Sequence, residues 1–270
     1  MNIIQLDQIK QEVLHSEPDV MVTAFPGQTS ELVVAFTSKH PDRLDDPDIA
    51  FRQIKLLRGE GPRHILRIDD LEWNWLGRPG LSETLAQIIR TYVKQHGLTK
   101  VVAYGGSGGG TKALDMCGFY DFWGVFAIAP QIDLGPAFKA FDRRWSTYLE
   151  WARPGYNLPR PAHGFDSDAH IALFHGIRGH DAAHAALCPS RAGVYHYLYP
   201  DQEHSIGSRI NPNQRFFHVF ESFFAGDFER MDHFAIESGA IRRGVLEYDM
   251  PDPPWEEKPP PGEANRPGQL

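Results

Sequence analysis

Apolar and polar positions along this chain follow two different periods. Short apolar runs rich in β-branched and aromatic residues predict strands at 19–25, 31–36, 64–68, 101–104, 124–130, 171–174 and 194–199. The first two are separated only by a Pro26-Gly27 turn, which predicts that they are neighbouring strands. Residues 1–18 are polar and predict only a short helix or an edge segment.

Helical periodicity fills the intervals between several of these strands. The clearest helix is predicted to begin at a Ser82 cap and to stop at Gly97, with an apolar face of Leu85, Ile88, Ile89, Tyr92 and Val93. Further helices are predicted at 46–59, after Asp181, and from Asn211-Pro212 through the phenylalanines at 216–224. Strands that alternate with helices favour an α/β fold with a mostly parallel central sheet and helices on both faces.

The pattern also divides the chain. We expect one α/β domain over residues 1–248, with a short aromatic-rich helical insert at about 134–165. Residues 249–270 contain seven prolines and no apolar periodicity, which predicts an extended or disordered tail.

One glycine-rich stretch lies between the strand at 101–104 and a helical pattern at Gly110, Ala113, Leu114 and Cys117. Its sequence, Gly105-Gly106-Ser107-Gly108-Gly109, matches G-x-S-x-G, the tight turn that presents a nucleophilic serine between a buried strand and a helix. Side chains two residues before and after the serine would collide with neighbouring backbone, and glycine removes that collision.

Other functions of the glycines compete with this one. A phosphate-binding P-loop requires Gly-Lys-Ser/Thr, whereas Thr111 precedes Lys112 here and Ala113 follows it. The stretch 108–113 fits the loose dinucleotide pattern G-x-G-x-x-A, but the preceding strand is the third or fourth of its sheet, and Asp133 is only an ambiguous match for the acidic residue expected at the end of the next strand. A flexible glycine loop with an incidental serine is the remaining alternative.

Composition and charge limit the classes of molecule that the protein is expected to bind. A net charge of −8 offers no basic face to nucleic acid or anionic lipid. No signal-peptide pattern or apolar run of membrane-spanning length is present, so we expect a cytoplasmic protein. The two cysteines, Cys117 and Cys188, are expected to be buried thiols. Neither stands at metal-site spacing from another cysteine or histidine, and we predict no metal and no cofactor.

The order of strands, with the serine turn after the central one, resembles the α/β-hydrolase superfamily over residues 20–225. In that family the triad runs serine, acid, histidine, with the acid after the penultimate strand and the histidine after the last. The resemblance therefore implies Ser107 as nucleophile, Asp181 as acid and His204 as base. Asp133, after the preceding strand, is the rival acid, and an N-cap of the following helix is the alternative role of Asp181.

The resemblance also implies donors for an oxyanion. One is the backbone N–H of Gly108, and the other comes from the loop after the early core strand, here Thr37-Ser38-Lys39-His40. This loop lacks the usual His-Gly pair, and Thr37 or Ser38 is expected to take its place. His40, Trp73 and Trp75 are candidates for the pocket rim.

These residues favour a serine hydrolase that cleaves a small-molecule ester or related acyl bond through an acyl-enzyme. Two alternatives remain open at the level of sequence. One is an acyltransferase that uses the same triad, and the other is a non-catalytic accessory or scaffold protein of the same fold, whose proline-rich tail binds a partner. The aromatic insert would cover the pocket and suit a moderately apolar or sugar-bearing acyl substrate.

Overall fold

A nine-stranded sheet organises the protein. The computed structural model describes residues 10–38, 57–59, 61–72, 74–135, 155–206 and 215–244. The strands are β1 (Glu12–Glu17), β2 (Val20–Phe25), β3 (Glu31–Ser38), β4 (His64–Asp70), β5 (Lys100–Gly106), β6 (Gly124–Ile128), β7 (His170–Gly176), β8 (Val194–Tyr199) and β9 (Ile241–Arg242). They lie in the order β1-β2-β4-β3-β5-β6-β7-β8-β9. The six strands from β4 to β8 in that order are parallel, and β1, β2 and β9 are antiparallel additions at the edges.

Helices lie between the strands along the chain. They are α1 (Leu81–His96), α2 (Gly108–Asp115), α3 (Ala162–Asp166), α4 (Asp181–Leu187), α5 (Arg215–Ala225) and α6 (Phe228–Glu237). A 3₁₀ turn at Met116–Gly118 continues α2. None of the helices in the described ranges combines the length and the apolar character needed to cross a bilayer.

The alternation of side chains along β3 divides the core into two layers. Leu32, Val34 and Phe36 pack with α1 and α2 on one face of the sheet. Val33 and Ala35 point to the other face and pack with α5 and α6. Because successive residues of a strand face opposite sides, a strand apolar at every position must be covered twice. The predicted fold class, a mostly parallel sheet with helices on both faces, is confirmed.

The prediction that the first two core strands are neighbours is wrong, since β4 lies between β2 and β3. β2 pairs with β4 in antiparallel register and β3 pairs with β4 in parallel register. The Pro26-Gly27 turn passes over the beginning of β4, where the Gln28 N–H donates to the Pro62 carbonyl at 2.6 Å. A Cβ on Gly27 would overlap the backbone of Pro62 and Arg63, so this glycine permits the crossing.

The prediction that Ser82 caps the helix is also wrong. The helix begins at Leu81 after Gly80, whose φ is 79°, and Ser82 is buried inside the first turn. Its hydroxyl contacts the Lys112 ammonium at 2.7 Å, so packing against α2 determines the position of this serine. The predicted stop at Gly97 is confirmed, since Gly97 closes the helix with a φ of 61°.

The polar N-terminal segment contributes an edge strand, β1. Two elements that the periodicity did not predict, α6 and β9, follow α5 near the end of the described chain. Of the helix predicted at 46–59, Leu57 and Arg58 are helical, and residues 39–56 lie outside the described residues. The central part of the insert, residues 136–154, and the tail at 249–270 also lie outside them.

Substitution of Phe126 tests how much the aromatic layer under α5 contributes to the stability of the fold. Phe126 is fully buried, and its ring centroid lies 4.8 Å from that of Phe174 and 5.2 Å from that of Phe220. Phe126→Ala should lower the free energy of unfolding in urea by about 3–5 kcal/mol, because the cavity removes these contacts. Ile236→Ala, at a position 52% exposed on α6, should change it by less than about 0.5 kcal/mol. Equal effects would contradict this account of the core.

Candidate active site

Ser107 lies in the turn between β5 and α2, in a backbone conformation that non-glycine residues rarely adopt. Its φ is 52° and its ψ is −126°. Two backbone hydrogen bonds hold this conformation: the Ser107 N–H donates to the Ile128 carbonyl at 2.7 Å, and the Ser107 carbonyl accepts from the Thr111 N–H at 3.0 Å. A conformation of this kind costs about 1–3 kcal/mol and persists only where the surroundings impose it.

The glycines around Ser107 allow three backbone segments to meet. A Cβ on Gly105 would overlap the backbone of Gly109 and Gly110, and a Cβ on Gly109 would overlap the Phe36 carbonyl at the end of β3. Gly106 is different, because a Cβ there would lie 3.9 Å from its nearest neighbour, the Ile128 carbonyl oxygen. Sterics therefore require glycine at the two outer positions of the motif and leave the position before the serine open.

The structure brings Ser107, His204 and Asp181 together in one chain of hydrogen bonds. Ser107 Oγ lies 2.9 Å from His204 Nε2, and His204 Nδ1 lies 2.7 Å from Asp181 Oδ2. Asp181 is 2% exposed, whereas the imidazole of His204 is 25% exposed. A carboxylate accepts the proton on Nδ1 and leaves the Nε2 lone pair facing the serine, which is the arrangement a general base requires.

Two loops on neighbouring strands carry the acid and the histidine. Asp181 is the first residue of α4, after β7, and His204 follows β8. The loops are joined where the Arg178 N–H donates to the Gln202 carbonyl at 2.9 Å. Gly176, the last residue of β7, has no room for a Cβ, because the backbone of Gln202 and Glu203 lies directly against it. This close packing sets the separation between Asp181 and His204.

The rival acid, Asp133, has a different set of contacts. One of its carboxylate oxygens accepts from the Gly135 N–H at 2.6 Å, which closes a local turn after β6. Asp181, rather than Asp133, contacts His204.

The residues predicted to bind an oxyanion lie at the meeting point of β3 and α2. Gly108 is the first residue of α2, where helical N–H groups have no acceptor within the helix. The Thr37 hydroxyl donates to Asp69 Oδ1 at 2.6 Å, so only the backbone of Thr37 remains a candidate donor. Ser38 is the last residue of β3, and its side chain lies outside the described residues, as do His40 and Trp73.

Sequence reasoning missed a fourth polar group at the serine. The side chain of Gln131, 1% exposed in the loop after β6, donates from Nε2 to Ser107 Oγ at 2.9 Å. A glutamine that follows a proline at the end of a buried strand is the only signal in the sequence, and it is a weak one. Trp75, which was expected at the pocket rim, is buried, with its indole nitrogen 3.4 Å from Gln131 Oε1.

One cluster in the described part of the chain has the donor types of a metal site. Ligand atoms of His175, Cys188 and His196 lie within 4.8 Å of one another, and all three residues are buried. His175 Nδ1 and His196 Nε2 are already hydrogen-bonded to each other at 3.0 Å, and the Cys188 thiol donates to the His184 carbonyl at 3.5 Å. Burial raises the pKa of Cys188 to about 12, which keeps it a thiol. The first contact links β7 to β8, and the second lies within α4 and its C-cap.

Comparison with protein-family models and with curated proteins detects no sequence similarity. No protein-family model matches the chain. No curated protein matches it either. Three solved structures resemble it: a putative esterase from Staphylococcus aureus (14% identity, 81% of this chain and 83% of that one, TM-score 0.53), the Francisella virulence factor BioJ (13%, 83% and 85%, 0.52) and the Pyrococcus furiosus esterase Pf2001 (14%, 84% and 93%, 0.51). At this level of identity the similarity establishes a shared fold.

The steric requirement at the turn predicts different effects for adjacent glycines. Gly105→Ala should lower the free energy of unfolding by about 1–3 kcal/mol, because the new methyl group pushes α2 away from β5. Gly106→Ala, where the space is open, should change it by less than about 0.5 kcal/mol. Chemical unfolding of both variants measures the difference, and a larger loss for Gly106→Ala would refute the packing described here.

The buried imidazole of His175 predicts a pH-dependent stability. Desolvation lowers its pKa to about 4 in the folded protein, so the unfolded chain binds the proton more tightly. The free energy of unfolding should therefore fall as the pH drops from about 6.5 towards 4. His175→Gln should lose about 2 kcal/mol less than the wild type between pH 7 and pH 4.5 in urea unfolding. Parallel losses would show that His175 does not contribute to this pH dependence.

Proposed function

We propose that this chain, which has the α/β-hydrolase fold, is a serine hydrolase that cleaves an ester or related acyl bond through an acyl-enzyme. The observation that carries the proposal is the continuous hydrogen-bond chain from Ser107 through His204 to Asp181. A serine hydroxyl is a poor nucleophile until an imidazole accepts its proton, and a buried carboxylate orients that imidazole and stabilises its charged form.

In the first step, Ser107 Oγ attacks the carbonyl carbon of the substrate while its proton moves to His204 Nε2. The electron pair of the carbonyl bond moves onto oxygen, and the imidazolium is stabilised by the ionised carboxylate of Asp181. Collapse of this tetrahedral species expels the alcohol, which takes the proton back from His204. A water molecule then repeats the sequence on the acyl-enzyme and releases the acid.

The developing oxyanion needs donors that are fixed before the reaction. The Gly108 N–H at the start of α2 and the backbone N–H of Thr37 or Ser38 at the end of β3 are the proposed pair. The close packing of Gly109 on Phe36 supports this choice, because it brings the two backbone segments to the same side of Ser107.

A fluorophosphonate probe tests the nucleophile. The wild-type protein should be labelled at one site per chain, because the activated hydroxyl attacks phosphorus as it attacks an acyl carbon. Ser107→Ala should abolish labelling and reduce hydrolysis of short p-nitrophenyl esters by at least about 10⁴-fold. Labelling that persists in Ser107→Ala would remove Ser107 from this role, and an unreactive wild type would instead favour a non-catalytic protein of the same fold.

The acid is tested by two matched substitutions. Asp181→Asn should lower turnover by about 10⁴-fold, because an amide favours the wrong tautomer of His204. Asp133→Asn should retain activity close to that of the wild type, since its carboxylate contacts Gly135. Reversed effects would transfer the role of acid to Asp133.

A further inference from the structure

The Gln131 side chain gives Ser107 a second polar partner, which the triad alone does not include. Gln131 Nε2 and His204 Nε2 each lie 2.9 Å from Ser107 Oγ. An amide nitrogen carries two hydrogens and no available lone pair, so Gln131 can only donate if its nitrogen faces the serine. The orientation of the amide therefore determines whether Gln131 donates a hydrogen bond to Ser107 Oγ or accepts one from it.

Trp75 fixes the orientation of the amide. Its indole Nε1–H lies 3.4 Å from Gln131 Oε1, and an indole N–H is exclusively a donor. The Thr111 hydroxyl lies 3.0 Å from the same oxygen. If the amide were flipped, the indole N–H would face an NH₂ group and its contact would be lost inside a buried site, whereas the Thr111 hydroxyl can accept as well as donate and would bond either end. The oxygen therefore faces Trp75, and the nitrogen faces Ser107.

The loop that presents Trp75 is itself held in an unusual conformation. Trp75 and Leu76 have φ values of 54° and 53°, which residues other than glycine rarely adopt. Both oxygens of the buried Asp70 carboxylate face this loop, and they accept the N–H groups of Asn74 and Leu76 at 3.3 Å. A carboxylate that accepts the N–H groups on both sides of Trp75 offsets the backbone strain of the conformation that aims the indole at Gln131.

The backbone on either side of Gln131 is held by three further contacts. The Gln131 N–H donates to Thr111 Oγ1 at 2.8 Å. The Pro130 carbonyl lies 3.1 Å from His175 Nε2, and the Ile132 N–H donates to His184 Nδ1 at 3.0 Å. Contacts to α2, β7 and α4 thus fix a segment that contains one side chain directed at the nucleophile.

From this arrangement we propose that Gln131 is a positioning residue, which sets the proton order of the triad by donating a hydrogen bond to Ser107 Oγ. Because Gln131 can only donate, the serine hydrogen is left to bond His204. The four directions around Oγ are then assigned to Cβ, to the hydrogen facing His204, to the N–H of Gln131, and to one free lone pair. That lone pair is the one available for attack on the substrate carbon, so the side chain also sets the direction of attack.

The proposal rests on the proposed hydrolase function and adds a specific energetic expectation. As the proton leaves Ser107, negative charge grows on Oγ and the bond from Gln131 strengthens. Hydrogen bonds to charged groups are stronger than neutral ones by an amount that corresponds to about 10- to 100-fold in rate. Loss of the donor should therefore reduce kcat and the labelling rate by this factor, and leave KM nearly unchanged.

Gln131→Glu is the sharpest test, because it retains the shape of the side chain and the oxygen that accepts from Trp75. Only the group that faces Ser107 changes, from a donor to a carboxylate oxygen that competes with His204 for the serine proton. Fluorophosphonate labelling at pH 8 should fall by at least about 100-fold. As the pH is lowered, the carboxyl group gains a proton and becomes a donor, so the ratio of the variant rate to the wild-type rate should rise.

Two more variants complete the experiment. Gln131→Met removes the donor without adding a charge, and its labelling rate should fall by about 10- to 100-fold with no pH dependence of the ratio. Gln87→Glu, at an exposed position on α1, controls for the added negative charge and should match the wild type. Thermal unfolding of each variant confirms that the comparison is made between folded proteins.

The outcomes separate the two proposals. If the wild type is labelled and Ser107→Ala is not, while both Gln131 variants label within twofold of the wild type, the role of Gln131 is overturned and the hydrolase function stands. A Gln131→Glu ratio that is low but constant with pH would also overturn it, because the proposal requires protonation of the carboxyl group to restore the donor. If the wild type itself is unreactive, both proposals fail.

Discussion

The site depends on one steric constraint, the absence of side chains at Gly105 and Gly109. With no Cβ at these positions, the first turn of α2 lies directly on the ends of β3 and β5. Ser107 is held there with a positive φ, and its hydroxyl is presented to His204 beyond the carboxyl end of β5. The strain is local, and the two backbone hydrogen bonds at Ser107 together with the buried core beneath it sustain it.

Much of this organisation could be read from the sequence because it depends on local pattern. The glycine turn and the apolar runs follow from residues that are close along the chain, whereas Asp181 and His204 were predicted from the triad order of the α/β-hydrolase superfamily, which the chain resembles. The insertion of β4 between β2 and β3 could not be read in this way, because strand order depends on long-range pairing that leaves no periodic signal. β9 has only two residues, which carry no period. α6, which packs against α5, does carry a helical signal in the sequence, an Asp227 N-cap followed by buried Met231 and Ala235 four residues apart.

The contacts of Gln131 could not be predicted from the sequence because they join residues from three separate segments of the chain. Ser107 and Thr111 lie at the beginning of α2, Trp75 lies before α1, and Gln131 follows β6. The His175, Cys188 and His196 cluster escaped the spacing argument in the same way. Spacing rules find side chains that one element places together, whereas these groups meet only after the sheet has formed.

Gly176 has an implication for how the site is assembled. Ser107 and Gln131 belong to the β5 and β6 side of the sheet, while Asp181 and His204 are carried by loops after β7 and β8. The Ser107–His204 contact joins the two pairs. The positions of Asp181 and His204 relative to each other depend on the backbone of the loop after β8, which packs directly on Gly176. The acid and the base therefore share a scaffold of two packed loops, which the segment around Gln131 contacts through His175 and His184. A change in the loop after β8 can disconnect the base while the glycine turn still presents the hydroxyl.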